Sequence, residues 1–241
     1  MLGVILAAGK GTRLKELGKN VPKALLPIGN KTCLEHIITG MKGAGVDRVG
    51  VVIGHLGEMI EEQYGSGESL GVEITYLKQD LSMYGTGRAL LLARDLAGDE
   101  PLMVSYGDIL IEASNYKAMV TLARQEQTSV SSVNWMDDPT AGAAVYFGDD
   151  GFLERIIEKP PKGTSTTNWN NAGVYVFQPL IFDYLANLGK SERGEYDLTE
   201  AVRQMVTAGA VVKVHQITGF WKDIGTPEDV AAIRHLLEDS E

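Results

Sequence analysis

Leu2-Gly3-Val4-Ile5-Leu6-Ala7-Ala8-Gly9 opens the chain as an apolar run closed by a glycine, and Lys10-Gly11-Thr12-Arg13-Leu14 follows at once. The apolar residues do not alternate with polar ones, which predicts a strand over Leu2–Ala8 buried on both faces and then a loop. Thr32-Cys33-Leu34-Glu35 has the spacing of a capping box and predicts a helix that ends at the glycines at 43 and 45. Val49–Ile53 reads as a second buried strand. The alternation continues with a helix around Glu58–Tyr64, strand Val72–Leu77, a helix around Arg88–Ala97, strand Leu102–Tyr106, a helix around Asn115–Gln127 and strand Ser129–Val133. Strand and helix in strict turn predict parallel strands joined by right-handed crossovers, hence an α/β sandwich of three layers.

After residue 133 the pattern changes. Ala143–Phe147, the turn Gly148-Asp149-Asp150-Gly151 and Phe152–Glu158 predict a β-hairpin inserted on the sheet. Trp169–Phe177 reads as a strand, Leu180–Leu188 and Leu198–Ala208 as helices, and Val211–Ile217 as an apolar segment. Thr226-Pro227-Glu228-Asp229 starts a last helix with a cap, a proline at the first position and an acidic first turn. No linker or internal repeat breaks the chain. It is read as one domain over 1–241, a mostly parallel Rossmann-like sheet with a small β-rich insertion, residues 1–133 forming one half and 134–241 the other.

Composition bounds what such a domain does. The 241 residues are 44% apolar and 22% charged, with 28 glycines spread along the length, which argues against disorder and low complexity. A formal charge of −10 argues against nonspecific attachment to nucleic acid or anionic lipid. The charge is unevenly spread: residues 1–31 carry Lys10, Arg13, Lys15, Lys19, Lys23 and Lys31 against Glu16 alone. That local excess of positive charge predicts a compact anion site near the first strand. A single cysteine, Cys33, excludes an intramolecular disulfide and a cysteine-rich zinc site and fits a reducing compartment. The apolar run Val4–Ala8 is too short for a signal peptide or a membrane span, and the chain is read as cytoplasmic.

The turn after a first parallel strand is where an open sheet holds its ligand. Gly9 and Gly11 let backbone N–H groups turn toward an anion, and Lys10, Arg13 and Lys23 can add charge-assisted bonds to phosphate oxygens. The dinucleotide fingerprint is not met, because its third glycine falls at Leu14 and no acidic residue ends a second strand. The phosphate P-loop fails too, since no Gly-Lys-Ser/Thr closes the turn. Taken alone, the pair of glycines reads more often as a tight turn than as a phosphate site, and Lys23 and Arg13 as a solvated basic turn.

The order of motifs narrows this. Gly9-Lys10-Gly11-Thr12-Arg13-Leu14 is followed by Pro22-Lys23-Ala24-Leu25-Leu26-Pro27-Ile28, then by Gly65-Ser66-Gly67-Glu68-Ser69-Leu70-Gly71-Val72 and Gly85-Thr86-Gly87. Tyr106-Gly107-Asp108, Glu158-Lys159-Pro160, Asn171-Ala172-Gly173-Val174-Tyr175 and Trp221-Lys222-Asp223-Ile224-Gly225-Thr226-Pro227-Glu228 complete the series. In content and order this resembles the sugar-1-phosphate nucleotidyltransferases over nearly the whole chain, in a minimal form that lacks the β-helical acyltransferase some relatives append.

The resemblance implies attack by an acceptor phosphate oxygen on the α-phosphorus of a nucleoside triphosphate, giving a nucleoside diphosphate sugar and pyrophosphate. It implies that Arg13 holds the outgoing β/γ oxygens and Lys23 neutralises the α-phosphate, with Leu6, Ala8, Gly9, Gly11 and Thr12 against the nucleotide. Gln79 and Gly85, with Thr86, would read the base, as in relatives that use uridine or thymidine. Asp108 and Asp223 would hold Mg²⁺, an ion suited to one or two carboxylates plus waters and phosphate oxygens; as isolated residues they read as turn and cap aspartates. On the acceptor side Glu158 would accept from sugar hydroxyls, Lys159 would bind the acceptor phosphate, and Gly142, Asn171 and Gly173 would line the sugar. Arg193-Gly194-Glu195-Tyr196-Asp197-Leu198-Thr199-Glu200 resembles a family segment near this pocket and receives no role. The implied partners are thus a nucleoside triphosphate and a phosphorylated sugar or sugar-like acceptor, with no nucleic acid or membrane; a homo-oligomer stays open.

Two departures bear on this. Ala141-Gly142 stands where hexose-using relatives commonly have Tyr-Gly, which enlarges the pocket or removes a stacking surface and suggests an acceptor larger than a hexose phosphate, or not a sugar. Lys15-Glu16-Leu17-Gly18 lacks the usual proline and threonine, which bears on the resting shape of the loop. His36 reads as structural, Met119 as core and Trp169 as packing, while His55, His215 and His235 are too scattered for a zinc site or a nucleophilic triad. Three other readings stand beside the leading one: a cytidylyltransferase for a phosphorylated non-sugar alcohol, a non-catalytic nucleotide-sugar-binding regulator, and an NAD-dependent dehydrogenase. The missing ribose-binding acid counts against the last.

Overall fold

A computed structural model of the chain describes residues 1–9, 11, 14 and 20–238. Its described strands form one nine-stranded mixed sheet and two short ribbons. β1 (Leu2–Leu6) is followed by the ribbon of β2 (Pro27–Ile28) and β3 (Lys31–Thr32) and by helix α1 (Cys33–Gly43). Then come β4 (Arg48–Ile53), α2 (Gly57–Tyr64), β5 (Glu73–Lys78), α3 (Thr86–Leu91) and α4 (Arg94–Ala97). β6 (Leu102–Tyr106), β7 (Ile109–Ile111), α5 (Ser114–Glu126) and β8 (Ser129–Trp135) follow. The rest comprises β9 (Ala143–Phe147), β10 (Leu153–Glu158), β11 (Trp169–Phe177), α6 (Ile181–Ala186), α7 (Leu198–Thr207), β12 (Val212–Gln216), β13 (Trp221–Asp223) and α8 (Pro227–Glu238).

The sheet runs β10-β9-β11-β6-β1-β4-β5, with β8 beside β11 and β12 beside β8. β1 lies between β4 and β6 with parallel register, Leu2 facing both Arg48 and Leu102, and β5 extends the parallel set. Helices cover both faces. α1, α2, α5 and α8 supply Leu34, Ile37, Ile60, Met119 and Ile233 to one core, and α3, α6 and α7 supply Leu90, Phe182, Leu185 and Val202 to the other. The predicted three-layer α/β architecture is the observed one.

The strand at 129–135 departs from the simple alternation. It does not continue the parallel run beyond β6, because antiparallel β11 takes that slot, Val174 to Phe177 facing Ser105 to Leu102. β8 then pairs with the other edge of β11 and with β12. Nine residues give β11 enough length to serve β6 with its C-terminal half and meet β9 at Asn170. Element order is a local property, whereas slot order depends on which apolar edge competes best for a neighbour. The predicted helix over Arg88–Ala97 is two helices, broken at Leu92 and Ala93. The capping box is present as read: the Thr32 hydroxyl accepts from the Glu35 N–H and the Glu35 carboxylate accepts from the Thr32 N–H.

Candidate active site

The sheet ends its parallel strands at one edge, and chain reversals there carry the polar residues. β6 stops at Tyr106, and Gly107 N–H donates to Leu6 C=O at 2.9 Å, so the turn after β6 lies against the end of β1. A Cβ at Gly107 would stand 2.9 Å from that same carbonyl, so only glycine lets the two turns meet. Asp108 follows directly. Its carboxylate accepts from Lys23 Nζ at 2.9 Å, and the Lys23 stem passes close to Gly11, 3.3 Å from where a Cβ would stand.

The second aspartate arrives through β13. This strand pairs antiparallel with β7, Asp223 facing Ile109, and Ile224 N–H donates to Asp108 C=O at 2.8 Å. The ribbon sets Asp223, at the end of β13, beside Asp108, which immediately precedes β7. Both line a cleft of about 500 Å³. Cys33 sits beneath them, fully buried, its thiol donating to Gly107 C=O at 3.4 Å. Burial pushes that thiol well above its ordinary range, with the charges of Asp108 and Asp223 adding and Lys23 opposing. It is a packed neutral group, not a nucleophile. Among the described residues no cluster of three or more His, Cys, Asp or Glu forms a metal cage. A donor set of two carboxylates fits an ion that completes its shell with water and phosphate, as Mg²⁺ does, and does not fit a structural zinc.

The same cleft is also lined by Glu158, Lys159, Gly142, Asn171 and Gly173. Gly173 has φ +78° where the register of β11 with β8 shifts, and a Cβ there would meet the Tyr106 ring at 2.9 Å, so glycine both permits the irregularity in the strand and leaves room for Tyr106. Lys159 holds φ +42°, its N–H donating to Gly142 C=O at 2.7 Å. Glu158 accepts from the Thr199 hydroxyl at 2.9 Å and from Arg193 at 3.4 Å, while Arg193 donates to Asp197 at 2.7 Å. Burial raises the Glu158 carboxyl above its ordinary value, ahead of the lowering effect of Thr199. Tyr106 lines the cleft with its phenol kept protonated by burial, within 3.4 Å of the Tyr175 hydroxyl.

Eight of the residues given a binding or metal role from sequence therefore share one cleft: Asp108, Asp223, Thr86, Gly142, Glu158, Lys159, Asn171 and Gly173. Leu6, Ala8, Gly9 and Gly11 end β1 and start the turn beside it, and Lys23 reaches the cleft through Asp108. Lys10, Thr12, Arg13 and the departure over residues 15–18 lie outside the described residues. Gln79 is bound within its own loop, its amide donating to Gly85 C=O at 3.1 Å. Gly85, at φ +142°, lies so near the Tyr196 backbone that a Cβ would overlap it. Ala141 lines the cleft, and Trp169 packs edge-on to Trp135 with ring centroids 5.2 Å apart. His36 bonds to Ile28 C=O at 2.9 Å and His215 to Asn115 at 3.0 Å, which are structural uses. Sequence reading assigned nothing to Arg193, Asp197 and Thr199, which brace Glu158; the polar run ahead of the α7 apolar stripe was the available signal. No described helix is long and apolar enough to cross a membrane.

Comparison with known proteins bears on what such a cleft does. Residues 2–240 match the family described as nucleotidyl transferase. The chain is 34% identical over 243 residues to a protein of Haloferax volcanii named UTP–glucose-1-phosphate uridylyltransferase AglF, covering 99% of this chain and 97% of that one. It is 33% identical over 241 residues to the low-salt glycan biosynthesis nucleotidyltransferase Agl11 of the same organism, covering 99% of this chain and 67% of that one. Against the bifunctional protein GlmU of Methanococcus maripaludis the identity is 35% over 98% of this chain, which spans 54% of that relative's length. Among solved structures, a glucose-1-phosphate thymidylyltransferase from Bacillus anthracis, described as putative and in complex with sucrose, superposes with a TM-score of 0.89 at 25% identity, over 99% of this chain and 96% of that one.

Proposed function

The chain belongs to the sugar-1-phosphate nucleotidyltransferase family, and on that premise we propose that it joins a nucleoside triphosphate to a sugar 1-phosphate or similar phosphorylated acceptor, giving the nucleoside diphosphate conjugate and pyrophosphate. The observation that carries the reading is one cleft lined by Asp108 and Asp223 together with Glu158, Lys159 and Gly173, with Lys23 on Asp108. An acceptor phosphate oxygen forms the new bond to the α-phosphorus. The bond to the bridging α–β oxygen breaks, and its electron pair leaves with pyrophosphate.

Both reactants are anions, so the first work of the protein is to offset their repulsion. Lys23 supplies a cation at the α-phosphate, Arg13 takes the leaving β and γ oxygens, and Lys159 binds the acceptor phosphate. Leu6, Ala8, Gly9, Gly11 and Thr12 receive the nucleotide where β1 ends. Gln79 Oε1 suits the N–H of a pyrimidine, with Gly85 and Thr86 completing the base site. The Asp108 and Asp223 carboxylates would hold Mg²⁺, which would supply positive charge against the negative charge that develops on the phosphates. Glu158, fixed by Thr199 and Arg193, accepts from acceptor hydroxyls, while Gly142, Asn171 and Gly173 line that group. Ala141 in the wall supports an acceptor bulkier than a hexose phosphate.

Pyrophosphate release, measured with each of the four NTPs against hexose 1-phosphates, N-acetylhexosamine 1-phosphates and phosphocholine, tests this. Turnover with one sugar phosphate is the expected result. Release only with phosphocholine would move the acceptor to non-sugar alcohols, and tight nucleotide-sugar binding with no turnover at all would make the protein a regulator.

A further inference from the structure

The base loop and the acceptor wall are pinned together through Tyr196. Gly87 N–H donates to Tyr196 C=O at 2.7 Å, and Tyr196 N–H donates to Tyr84 C=O at 3.2 Å. Two residues on, Leu198 N–H donates to the Thr86 hydroxyl at 3.0 Å. This close seam needs glycine on the α3 side: a Cβ at Gly87 would stand 2.5 Å from Leu188 and 3.0 Å from Tyr196 C=O. The Gly85-Thr86-Gly87 motif thus has a packing use whatever base is read.

The Tyr196 ring is held as well. The Arg88 guanidinium lies 4.5 Å from its centroid and the Lys190 ammonium 5.7 Å. Arg88 belongs to α3, so the ring fastens the helix behind the base loop to the segment behind the acceptor wall. From Tyr196 the chain runs in both directions to that wall. Arg193 and Asp197 form an ion pair, and Arg193 and Thr199 both donate to Glu158. A shift of the loop on nucleotide binding therefore meets the Glu158 braces within a few residues.

We infer that Tyr196 is a positioning residue that transmits nucleotide occupancy of the 79–87 loop to the acceptor wall at Glu158, so that each ligand tightens the site of the other. The inference rests on the proposed nucleotide site. Linkage requires the effect to be reciprocal.

Amide hydrogen exchange of the full chain, followed by mass spectrometry with and without each of UTP, dTTP, CTP and GTP, separates the two. In the wild type, the effective nucleotide slows exchange in peptides covering 84–91 and also, by at least about fivefold, in those covering 193–203. In Tyr196→Leu the first response persists and the second falls below about twofold; Tyr196→Phe, which keeps both ring faces, restores it. Arg88→Met removes one cation from the ring and gives an intermediate response, which keeps the test available if Tyr196→Leu does not fold. Slowing at 84–91 with none at 193–203 in the wild type overturns the coupling and leaves the nucleotide site standing. A full response in both Tyr196→Leu and Arg88→Met overturns the role of Tyr196. No slowing anywhere with any NTP overturns the nucleotide site and the coupling together.

Discussion

Lys23→Met separates the charge of the Lys23 side chain from its packing. Methionine keeps an unbranched stem beside Gly11 and removes only the ammonium that bonds Asp108 at 2.9 Å. The stability cost is small. The Asp108 side chain is 29% exposed, so cleft water can solvate the carboxylate that loses its partner. The loss is therefore about 1 kcal/mol, below the ~3–5 kcal/mol of a fully buried pair. For a chain of this length that lowers Tm by about 2–4 °C. The catalytic cost is larger, because the cation faces charge that builds only as the phosphoryl bond changes: about 2.7–4 kcal/mol, or a 10²–10³-fold fall in kcat. Pyrophosphate release at saturating substrates, beside a thermal melt followed by circular dichroism, reads both quantities. Turnover within threefold of wild type, with Tm as predicted, would refute the role given to Lys23. A loss confined to KM would show that it binds ground state and transition state alike.

Burial raises the Glu158 carboxyl, so it takes up a proton at a higher pH than a free glutamate near 4.3, and acceptor binding weakens as the pH falls through that raised value. The acid limb of kcat/KM for the acceptor should lie above the ordinary carboxylate range and vanish in Glu158→Gln; a limb unchanged in the variant would assign it elsewhere. His215 is held neutral by burial, its pKa lowered, so the unfolded chain binds the extra proton as pH drops below about 6.5 and stability falls there. Urea midpoints at pH 7.5 and 5.5 should differ less in His215→Gln than in wild type, and equal differences would remove His215 from the account. Ala141→Tyr should narrow the cleft and raise the kcat/KM ratio of hexose 1-phosphates over bulkier acceptors by tenfold or so, about 1.4 kcal/mol; an unchanged ratio would mean the acceptor does not reach this wall.

What the chain disclosed in advance was what local physics writes into it. The capping box at Thr32, the largely apolar strand at 102–106 and the hairpin after 143 each follow from neighbours in sequence, and each stands where read. The α3–α4 break at Leu92 and Ala93 has no proline or glycine to announce it. β7 and β13 have three residues each, too few to display a period, yet they bring Asp108 beside Asp223. Pairing of those aspartates was suggested by motif order alone; spacing contains no trace of it. The segment that braces Glu158 is marked in sequence only by its resemblance to a family segment near this pocket, and its role is not legible there, since Arg193, Asp197 and Thr199 act by folding back on a strand far away in sequence. The backbone seam between Gly85 and Tyr196 is a second constraint on that glycine, and motif order does not announce it.

The most direct test of the central claim is a crystal structure of the chain grown with its nucleoside diphosphate product and Mn²⁺, collected at the manganese absorption edge. The account predicts one anomalous peak touching the carboxylates of both Asp108 and Asp223, with the diphosphate beside Lys23 and the transferred group against Glu158 and Gly173. A diphosphate bound elsewhere, or a metal that touches neither aspartate, would contradict it.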